Sequence, residues 1–376
     1  MPVQETLAQL VAIDSVSSHS NAAIADYLSQ RCEAMKFSVR RFSYVDEHGM
    51  EKINLIALAG CEFGEQTEVA LALVGHTDTV PFDPAWADAT TLKEREGKLF
   101  GRGACDTKGF IAAALSAMER YSLDHLRRPL ALIFTCDEEI GLRGAKYLAQ
   151  LKPLRVKYCI VGEPTSLRPI RAGKGYSLAD VIVRGHEAHS AYPALGTSAI
   201  FRAARLITRI ESIAKEITSE QHPDFDPPFT TLNVGLVKGG TAKNVIAGEC
   251  RLTLEWRPIP GQDPAHVLRL LEAAVAEETR LDPEFECEID ASRSDSGFET
   301  VFGSSLVSFL ENATGYAAET VSFGTEAAQM MLLGSEAVVL GPGDIRVAHR
   351  TGEFVPKNEL ERCTEIISQA INEFCC

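Results

Sequence analysis

A histidine and an aspartate end an apolar stretch of the sequence. The stretch LALVGHTDTVP runs from Leu71 to Pro81, and it places His76 and Asp78 two residues apart. Side chains two apart in a strand share a face, so these two can act together. A neutral imidazole is a good zinc ligand, and a nearby carboxylate can hold the other ring N–H. The pair indicates a metal ligand with its orienting group, although a hydrogen-bonded histidine at a strand end fits the same residues.

Carboxylates occur in two further segments that lie just before helix-forming sequence. In GRGACDTKG, residues 101–109, three glycines that permit sharp bends surround Asp106. LIFTCDEEIGLRG delivers Asp137, Glu138 and Glu139 at the end of an apolar run. Helix capping and the helix dipole can explain acids at such places. Three adjacent acids at one strand end still repel one another, and a bound cation would relieve that repulsion.

Two more potential ligands follow apolar runs. Glu163 lies in CIVGEPTS, after the run 156–162, and His349 lies in GPGDIRVAHR, after EAVVLGPG. Taken singly, each segment fits a structural role. Together they place two histidines and several carboxylates at strand ends, and five oxygen and nitrogen ligands suit two zinc-like ions that share a bridging carboxylate. A free carboxylate beside the ions would act as general base.

These residues need a scaffold that brings strand ends together. In the first half of the chain, helical and strand-like patterns alternate, which predicts an α/β fold with a mostly parallel mixed sheet flanked by helices. Ligands collect at the carboxyl ends of strands in such sheets. The predicted helices are 3–13, 22–35, 108–120 and 142–151, and the predicted strands are 54–59, 69–75, 130–136 and 156–162.

The pattern changes near residue 176. SLADVIVRG, TTLNVGLVKGG and ECRLTLEWRP read as strands, and residues 198–217 and 265–278 read as helices. This segment predicts an inserted α+β domain over residues 176–287. The alternating pattern then resumes, so we expect a discontinuous catalytic domain over residues 1–175 and 288–376.

Composition excludes several classes of partner. The chain has 376 residues, 45% of them apolar, and 37 Lys and Arg against 52 Asp and Glu give a formal charge of −15. That charge repels nucleic acid and anionic lipid, so neither is an expected partner. No apolar run is long enough to span a membrane and the N-terminal sequence lacks signal-peptide features, so we expect a cytoplasmic protein. Ten cysteines without a CxxC motif predict reduced thiols.

The ordered motifs resemble a known family. GHTDTVP, GRGACDTKG, DEEIGLRGA, VGEPT, GHEAHSAYP, FGTEA and the late AHR are similar to those of the dinuclear zinc amidohydrolases, which include acetylornithine deacetylase, succinyl-diaminopimelate desuccinylase and aminoacylase. The resemblance covers nearly the whole chain. Within the family, EWRPIPG and SFGTEAAQM most resemble the acetylornithine deacetylase branch.

The resemblance implies roles for the residues at the strand ends. The resemblance implies that Asp106 bridges two divalent ions. These are most often Zn²⁺, and Co²⁺ or Mn²⁺ are the alternatives. Asp78 orients a histidine ligand, Glu138 takes a proton from water and passes it to the leaving amine, and a cis peptide follows Asp106. The full implied ligand set is His76 and Glu163 on one metal, Glu139 and His349 on the other, and Asp106 on both.

The resemblance also implies that the inserted domain is a lid and dimerisation domain. It implies that His189 reaches into the active site of the partner subunit of a homodimer, to stabilise the oxyanion together with Asn244. Arg257 would hold the α-carboxylate of the substrate. Three further residues are candidate substrate contacts, namely Gly324, Thr325 and Lys174. For Lys174, a solvated lysine at a hinge is an equal alternative.

The implied reaction is hydrolysis of the amide bond of an N-acyl-L-amino acid, with N-acetyl-L-ornithine, an intermediate of arginine biosynthesis, as first candidate. N-acetylcitrulline deacetylase, succinyl-diaminopimelate desuccinylase, general aminoacylase and dipeptidase activities are the alternatives within the family. Two alternatives use other chemistry. The protein could be a metal-free binding protein of the same fold, or a hydrolase that uses Cys105 or Cys136 as nucleophile.

Overall fold

The structure, a computed structural model that describes residues 1–376, contains two compact units. The first comprises Met1–Arg171, Glu299–Glu319 and Thr325–Cys376, and the second comprises Ala172–Phe298 and Thr320–Gly324. The chain passes between them at Arg171, Phe298, Glu319 and Gly324.

Nine α-helices are distributed over the chain. They are α1 Val3–Val11, α2 Ala22–Ala34, α3 Lys108–Met118, α4 Arg143–Leu151, α5 Ala199–Glu216, α6 His266–Leu281, α7 Ser305–Thr314, α8 Ala327–Met331 and α9 Lys357–Cys375. None of them combines the length and apolar character needed to cross a membrane.

The strands are β1 Ser38–Val45, β2 Glu51–Ala59, β3 Glu68–His76, β4 Lys93–Arg95, β5 Lys98–Phe100, β6 Leu130–Thr135, β7 Arg155–Val161, β8 Ile170–Gly173, β9 Tyr176–Arg184, β10 Ala188–His189, β11 Thr231–Gly239, β12 Val245–Ile246, β13 Glu249–Arg257, β14 Cys287–Asp295, β15 Phe298–Glu299, β16 Glu319–Val321, β17 Glu336–Val339 and β18 Phe354–Pro356.

The first unit is built on a mixed sheet that begins at the edge strand β1 and continues in the order β1-β2-β6-β3-β7-β17. The pairs β3–β6, β3–β7 and β7–β17 are parallel, whereas β1–β2 and β2–β6 are antiparallel. Apolar residues of α1, α2, α3, α7 and α9 join the sheet in one buried cluster. Every residue of α3 is buried, which fits a sequence that is apolar apart from Lys108 and Ser116.

The second unit has its own core. Its sheet is antiparallel, in the order β11-β13-β9-β14, and the buried faces of α5 and α6 join these strands in one apolar cluster around Trp256. The Ser198 side chain caps α5 by accepting the N–H of Phe201 at 3.3 Å. Strands β10 and β12 form a separate two-stranded pair.

The predicted fold class is confirmed for the first unit, where a central mixed sheet is flanked by helices. The prediction missed β1, a partly buried antiparallel edge strand of sequence SVRRFSYV that carries two arginines. The units divide at Arg171 and Phe298, against the predicted domain limits 175 and 287. The segment Thr320–Gly324, predicted in the catalytic domain, belongs to the second unit. All ten cysteines are unpaired thiols.

Candidate metal centre

The candidate ligands follow strands that lie side by side. His76 ends β3, the acidic turn 137–139 follows β6, and Glu163 follows β7. Because β6, β3, β7 and β17 are mutually parallel neighbours, their carboxyl ends meet at one edge of the sheet. His349 is delivered to the same edge by the loop after β17.

Three overlapping groups of side chains have geometry suited to a metal ion. In each group, one ligand atom per residue lies within 4.8 Å of the others. The groups are His76–Asp106–Glu163, Asp106–Glu139–His349 and His76–Glu138–Glu139. Asp106 belongs to the first two, which is the position that a bridging carboxylate requires.

Hydrogen bonds connect the two histidines through Asp106. His76 Nε2 lies 3.0 Å from Asp106 Oδ1, and His349 Nε2 lies 3.1 Å from Asp106 Oδ2. His349 Nε2 is also 3.0 Å from Glu139 Oε1. One imidazole therefore faces each oxygen of Asp106, and imidazole nitrogens facing carboxylate oxygens are a donor set that fits divalent metal ions of the zinc type.

The electrostatics of the cluster also favour bound cations. Burial raises the pKa of Glu138 and Glu163 well above the ordinary value, and it raises that of Glu139. Burial opposes ionisation of Asp106 as well, but hydrogen bonds with the two histidines prevail and lower its pKa. Hydrogen bonds with Asp106 and Glu139 raise the pKa of His349 to about 10. Carboxylates buried together ionise readily only beside positive charge, which metal ions supply.

The carboxylate of Asp78 makes closer contacts with the acidic turn 137–139 than with the ring of His76. Its Oδ1 accepts the N–H of Glu138 at 3.1 Å and its Oδ2 accepts that of Glu139 at 3.2 Å. The hydroxyl of Ser17 donates to Oδ2 at 2.8 Å. His76 Nδ1 lies 3.0 Å from the Asp78 carbonyl oxygen but 3.6 Å from its carboxylate. Asp78 thus contacts His76 mainly through its main chain.

A buried ion pair that the sequence interpretation missed supports the Asp106 loop. Glu353 Oε1 accepts the N–H groups of Cys105 and Asp106 at 2.9 and 3.1 Å, and its Oε2 accepts from Arg102 at 2.5 Å. Glu353 follows His349 by four residues, so this pair couples the segments that carry two candidate ligands. The peptide bond between Asp106 and Thr107 is cis, as the resemblance implies.

Two buried cysteines lie beside the cluster. Burial raises the pKa of Cys105 and Cys136. The Sγ of Cys105 contacts the carbonyl oxygen of Asp344 at 3.6 Å, and that of Cys136 contacts the side-chain oxygen of Asn54 at 3.5 Å. Because the thiolate is the reactive form, these surroundings disfavour the nucleophilic cysteine considered from the sequence.

The second unit brings His189 and Asn244 together. The carbonyl oxygen of Asn244 accepts the N–H of Ser190 at 3.1 Å, and His189 pairs with Val245 between β10 and β12. His189 is exposed, and its Nδ1 accepts the N–H of Ala191 at 3.1 Å.

Arg257 also lies in the second unit, at the end of β13. Its guanidinium carbon lies over the ring of Tyr176, 4.6 Å from the centroid, and the guanidinium donates to the carbonyl oxygen of Ser322 at 3.2 Å. The guanidinium carbon of Arg293 lies 4.7 Å from the centroid of the same ring. The guanidinium of Arg257 also donates to the carboxylate of Glu255 at 3.2 Å, and its planar fork is suited to binding a carboxylate.

The remaining candidate contacts have different surroundings. Lys174 is 1% exposed, and its ammonium donates to the carbonyl oxygens of Pro227 and Phe229, both at 2.7 Å. Gly324 belongs to the second unit, whereas Thr325 is buried in the first, where its hydroxyl accepts the N–H of Ala327 at 3.2 Å.

A mixed sheet that is flanked by helices and gathers histidines and carboxylates at its strand ends is the arrangement of a metallopeptidase-like hydrolase. The chain belongs to Peptidase family M20/M25/M40, whose sequence profile matches residues 72–373, and it is a metal-dependent amidohydrolase. It is 52% identical over 374 residues to acetylornithine deacetylase of Myxococcus xanthus, covering 99% of this chain and 97% of that protein.

Solved structures share the fold. A tripeptidase from Staphylococcus aureus subsp. aureus Mu50 is similar with a TM-score of 0.79 at 23% identity, covering 99% of this chain and 97% of that one. The Bacillus subtilis YXEP protein, a dinuclear metal binding peptidase from the M20 family, is similar with a TM-score of 0.66 at 14% identity, covering 99% and 97%.

Proposed function

We propose that the protein hydrolyses the amide bond of N-acetyl-L-ornithine to L-ornithine and acetate, a step of arginine biosynthesis. The observation that carries this proposal is the 52% identity, over nearly the full length of both chains, to a relative named for that activity. The donor groups around Asp106 support the chemistry. The substrate is a small N-acyl amino acid, and we infer a cytoplasmic location, which suits ten unpaired thiols.

We assign the cofactor as two divalent cations, with zinc as first candidate and cobalt or manganese as alternatives. His76 and Glu163 would hold one ion, Glu139 and His349 the other, and Asp106 both, in agreement with two of the three donor groups. When bound, the ions supply Lewis acidity that polarises the amide carbonyl and makes water a better nucleophile.

Glu138 is the proposed general base. It accepts a proton from the attacking water and returns a proton to the nitrogen of the leaving amine. Burial raises the pKa of its carboxyl, which makes the carboxylate a better proton acceptor than an exposed glutamate. Asp78 accepts the N–H groups of the two peptides that flank Glu138, so the Glu138 carboxylate projects from a fixed turn.

The second unit is the proposed lid and dimerisation domain. Arg257 would bind the α-carboxylate of the substrate, with Lys174, Gly324 and Thr325 as further contacts. A homodimer through this unit is supported by exposed apolar side chains on the edge strand β11 and the start of α5, where Leu236 and Val237 are 53% and 55% exposed and Phe201 is 73% exposed. Such an edge invites pairing with a second chain.

The function is tested by measuring amine release from a panel of substrates, each with and without chelator. The panel contains N-acetylornithine, N-acetylcitrulline, N-acetylmethionine, N-succinyl-diaminopimelate and a dipeptide. We expect chelator-sensitive turnover with the highest kcat/KM for N-acetylornithine. Preference for another compound would overturn the substrate assignment but leave the reaction type intact. Turnover that resists chelation would overturn the metal mechanism.

The His189→Ala variant is expected to lower kcat by about 100-fold, because one oxyanion donor is lost. Mixing it with a Glu138→Gln variant should restore part of the activity. In a mixed dimer, one site combines an intact Glu138 with the intact His189 of the partner subunit. The measurement is kcat against mixing ratio after subunit exchange.

The control for this mixture is His189→Ala mixed with more His189→Ala, which forms no complete site and should stay at its low rate. Absence of recovery in a mixture that contains mixed dimers by mass spectrometry would show that His189 does not act in the partner's site.

A further inference from the structure

Asp137 is the first of three consecutive acids, and its side chain points away from the candidate ligands. Its Oδ1 lies 3.1 Å from the ammonium of Lys52, and both side chains are 1% exposed. Tyr44 donates its hydroxyl to Oδ2 at 2.7 Å. Asp137 is therefore fully bound inside the first unit, and it takes part in none of the three donor groups.

Lys52 has no free proton to donate. Besides Asp137, its ammonium donates to the carbonyl oxygens of Ser17 and His19 at 2.5 and 2.9 Å. Three acceptors match the three donors of an ammonium group. Lys52 thus joins the segment before α2 to the turn after β6.

These contacts close a ring that includes the backbone of Glu138. Lys52 binds the main chain of Ser17, the hydroxyl of Ser17 binds Asp78, and Asp78 accepts the N–H groups of Glu138 and Glu139. The turn then returns through Asp137 to Lys52. The backbone of Asp137 has a φ of 54°, so the ring holds a residue in the left-handed region immediately before Glu138.

We propose that Lys52 is a positioning residue for the general base, acting through its buried ion pair with Asp137; this rests on the proposed function of Glu138. A buried ion pair rarely adds net stability over apolar packing, so stability alone explains it poorly. Fixing a base accounts for it better, because a displacement of about 1 Å can lower a rate by about 100-fold. Without Lys52, the Asp137 side chain loses its ion pair and retains the hydrogen bond from Tyr44, so the turn that carries Glu138 is held less firmly.

The main test is Lys52→Met, which removes the ammonium and keeps the length of the side chain. We expect kcat per metal-loaded site to fall by about 10-fold to 100-fold, with KM and metal content unchanged. In a Glu138→Gln background, the same substitution should lower the residual rate by less than about 2-fold, because the group that Lys52 positions is already gone. An effect of equal size in both backgrounds would overturn the inference, as would loss of metal from Lys52→Met.

A second variant decides the matter if Lys52→Met does not fold. Lys52→Met/Asp137→Asn removes both charges and leaves no unpaired ion in the interior. We expect it to fold, to bind metal and to keep a lowered kcat, whereas a wild-type kcat in this variant would overturn the inference.

The matched control is Arg202→Met in the second unit, where the buried Arg202 guanidinium forms an ion pair at 3.1 Å with Asp282, whose side chain is 30% exposed. It should lower the unfolding temperature and leave kcat per metal-loaded site unchanged. A fall in kcat as large as that of Lys52→Met would show that losing a buried cation anywhere in the protein slows the enzyme, which contradicts positioning. Wild-type enzyme that is inactive on N-acetylornithine would instead overturn the proposed function, so the two failures are distinguishable.

Discussion

Replacing Glu138 by Gln is expected to abolish most turnover while the metal content stays at its wild-type value. Gln keeps the shape of the side chain but cannot accept the proton of the attacking water. The expected fall in kcat is about 10³-fold to 10⁴-fold, the upper range for a lost general base. Metal analysis of the same purified protein, alongside steady-state kinetics on N-acetylornithine, measures both quantities at once.

The metal content matters because Glu138 also belongs to a donor group with His76 and Glu139. If Glu138 were a ligand, its substitution would release an ion, and the lost rate would say nothing about proton transfer. Glu163→Gln is the matched control, since it removes a buried carboxylate from a proposed ligand and should lower the metal content. A Glu138→Gln protein that loses metal like Glu163→Gln would contradict the assignment of Glu138 as base.

Much of the scaffold follows from local patterns. The apolar runs of β3, β6 and β7 are buried along nearly their whole length, and the chemistry-bearing residues come immediately after them. Parallel strands in register must bring their ends together, so runs far apart in the sequence predict one cluster. This reasoning needed only strand positions and direction, both of which a sequence pattern conveys.

The edge strand β1 is harder to predict because it is only partly buried. Its burial pattern contains no fully buried residue, and Arg40 and Arg41 interrupt any apolar alternation. The strand exists because its whole length pairs with β2, from Ser38 opposite Leu58 to Val45 opposite Glu51. Tertiary pairing determines this strand, and local pattern carries little of that information.

The groups that support the centre are also hidden from sequence patterns. Arg102 and Glu353 are 251 residues apart, and Ser17 and Asp78 are 61 apart. Hydrogen bonds over such separations depend on the assembled fold. No local spacing singles out these residues, although Arg102 lies inside a motif that drew attention for its glycines and aspartate.

The acidic run shows the same limit at a finer scale. The sequence of the run does not indicate which of its three acidic side chains face the cluster. The left-handed backbone at Asp137 turns that side chain toward Lys52 and leaves Glu138 and Glu139 at the cluster. A local sequence can therefore identify the segment, while the division of labour within it depends on contacts from β2.

The Asp106→Asn variant is expected to lose metal from both proposed sites and to fall at least as far in kcat as Glu138→Gln. Asp106 is the residue shared by the donor groups on the two sides of the cluster, and each of its oxygens faces one histidine nitrogen, at 3.0 and 3.1 Å. Asn keeps the shape but offers one neutral oxygen and an NH₂ group in place of two anionic oxygens. Metal content and affinity, measured by elemental analysis and titration calorimetry, test the loss directly.

The discriminating comparison is with variants on either side of Asp106. Glu163→Gln and Glu139→Gln should each weaken one ion, because each residue belongs to only one of the two proposed sites. Asp106→Asn should weaken both, and its effect should exceed either single loss. If Asp106→Asn lowers the metal content no more than Glu163→Gln does, Asp106 is a ligand of one ion only, and the bridging role that unites the two halves of the centre must be abandoned.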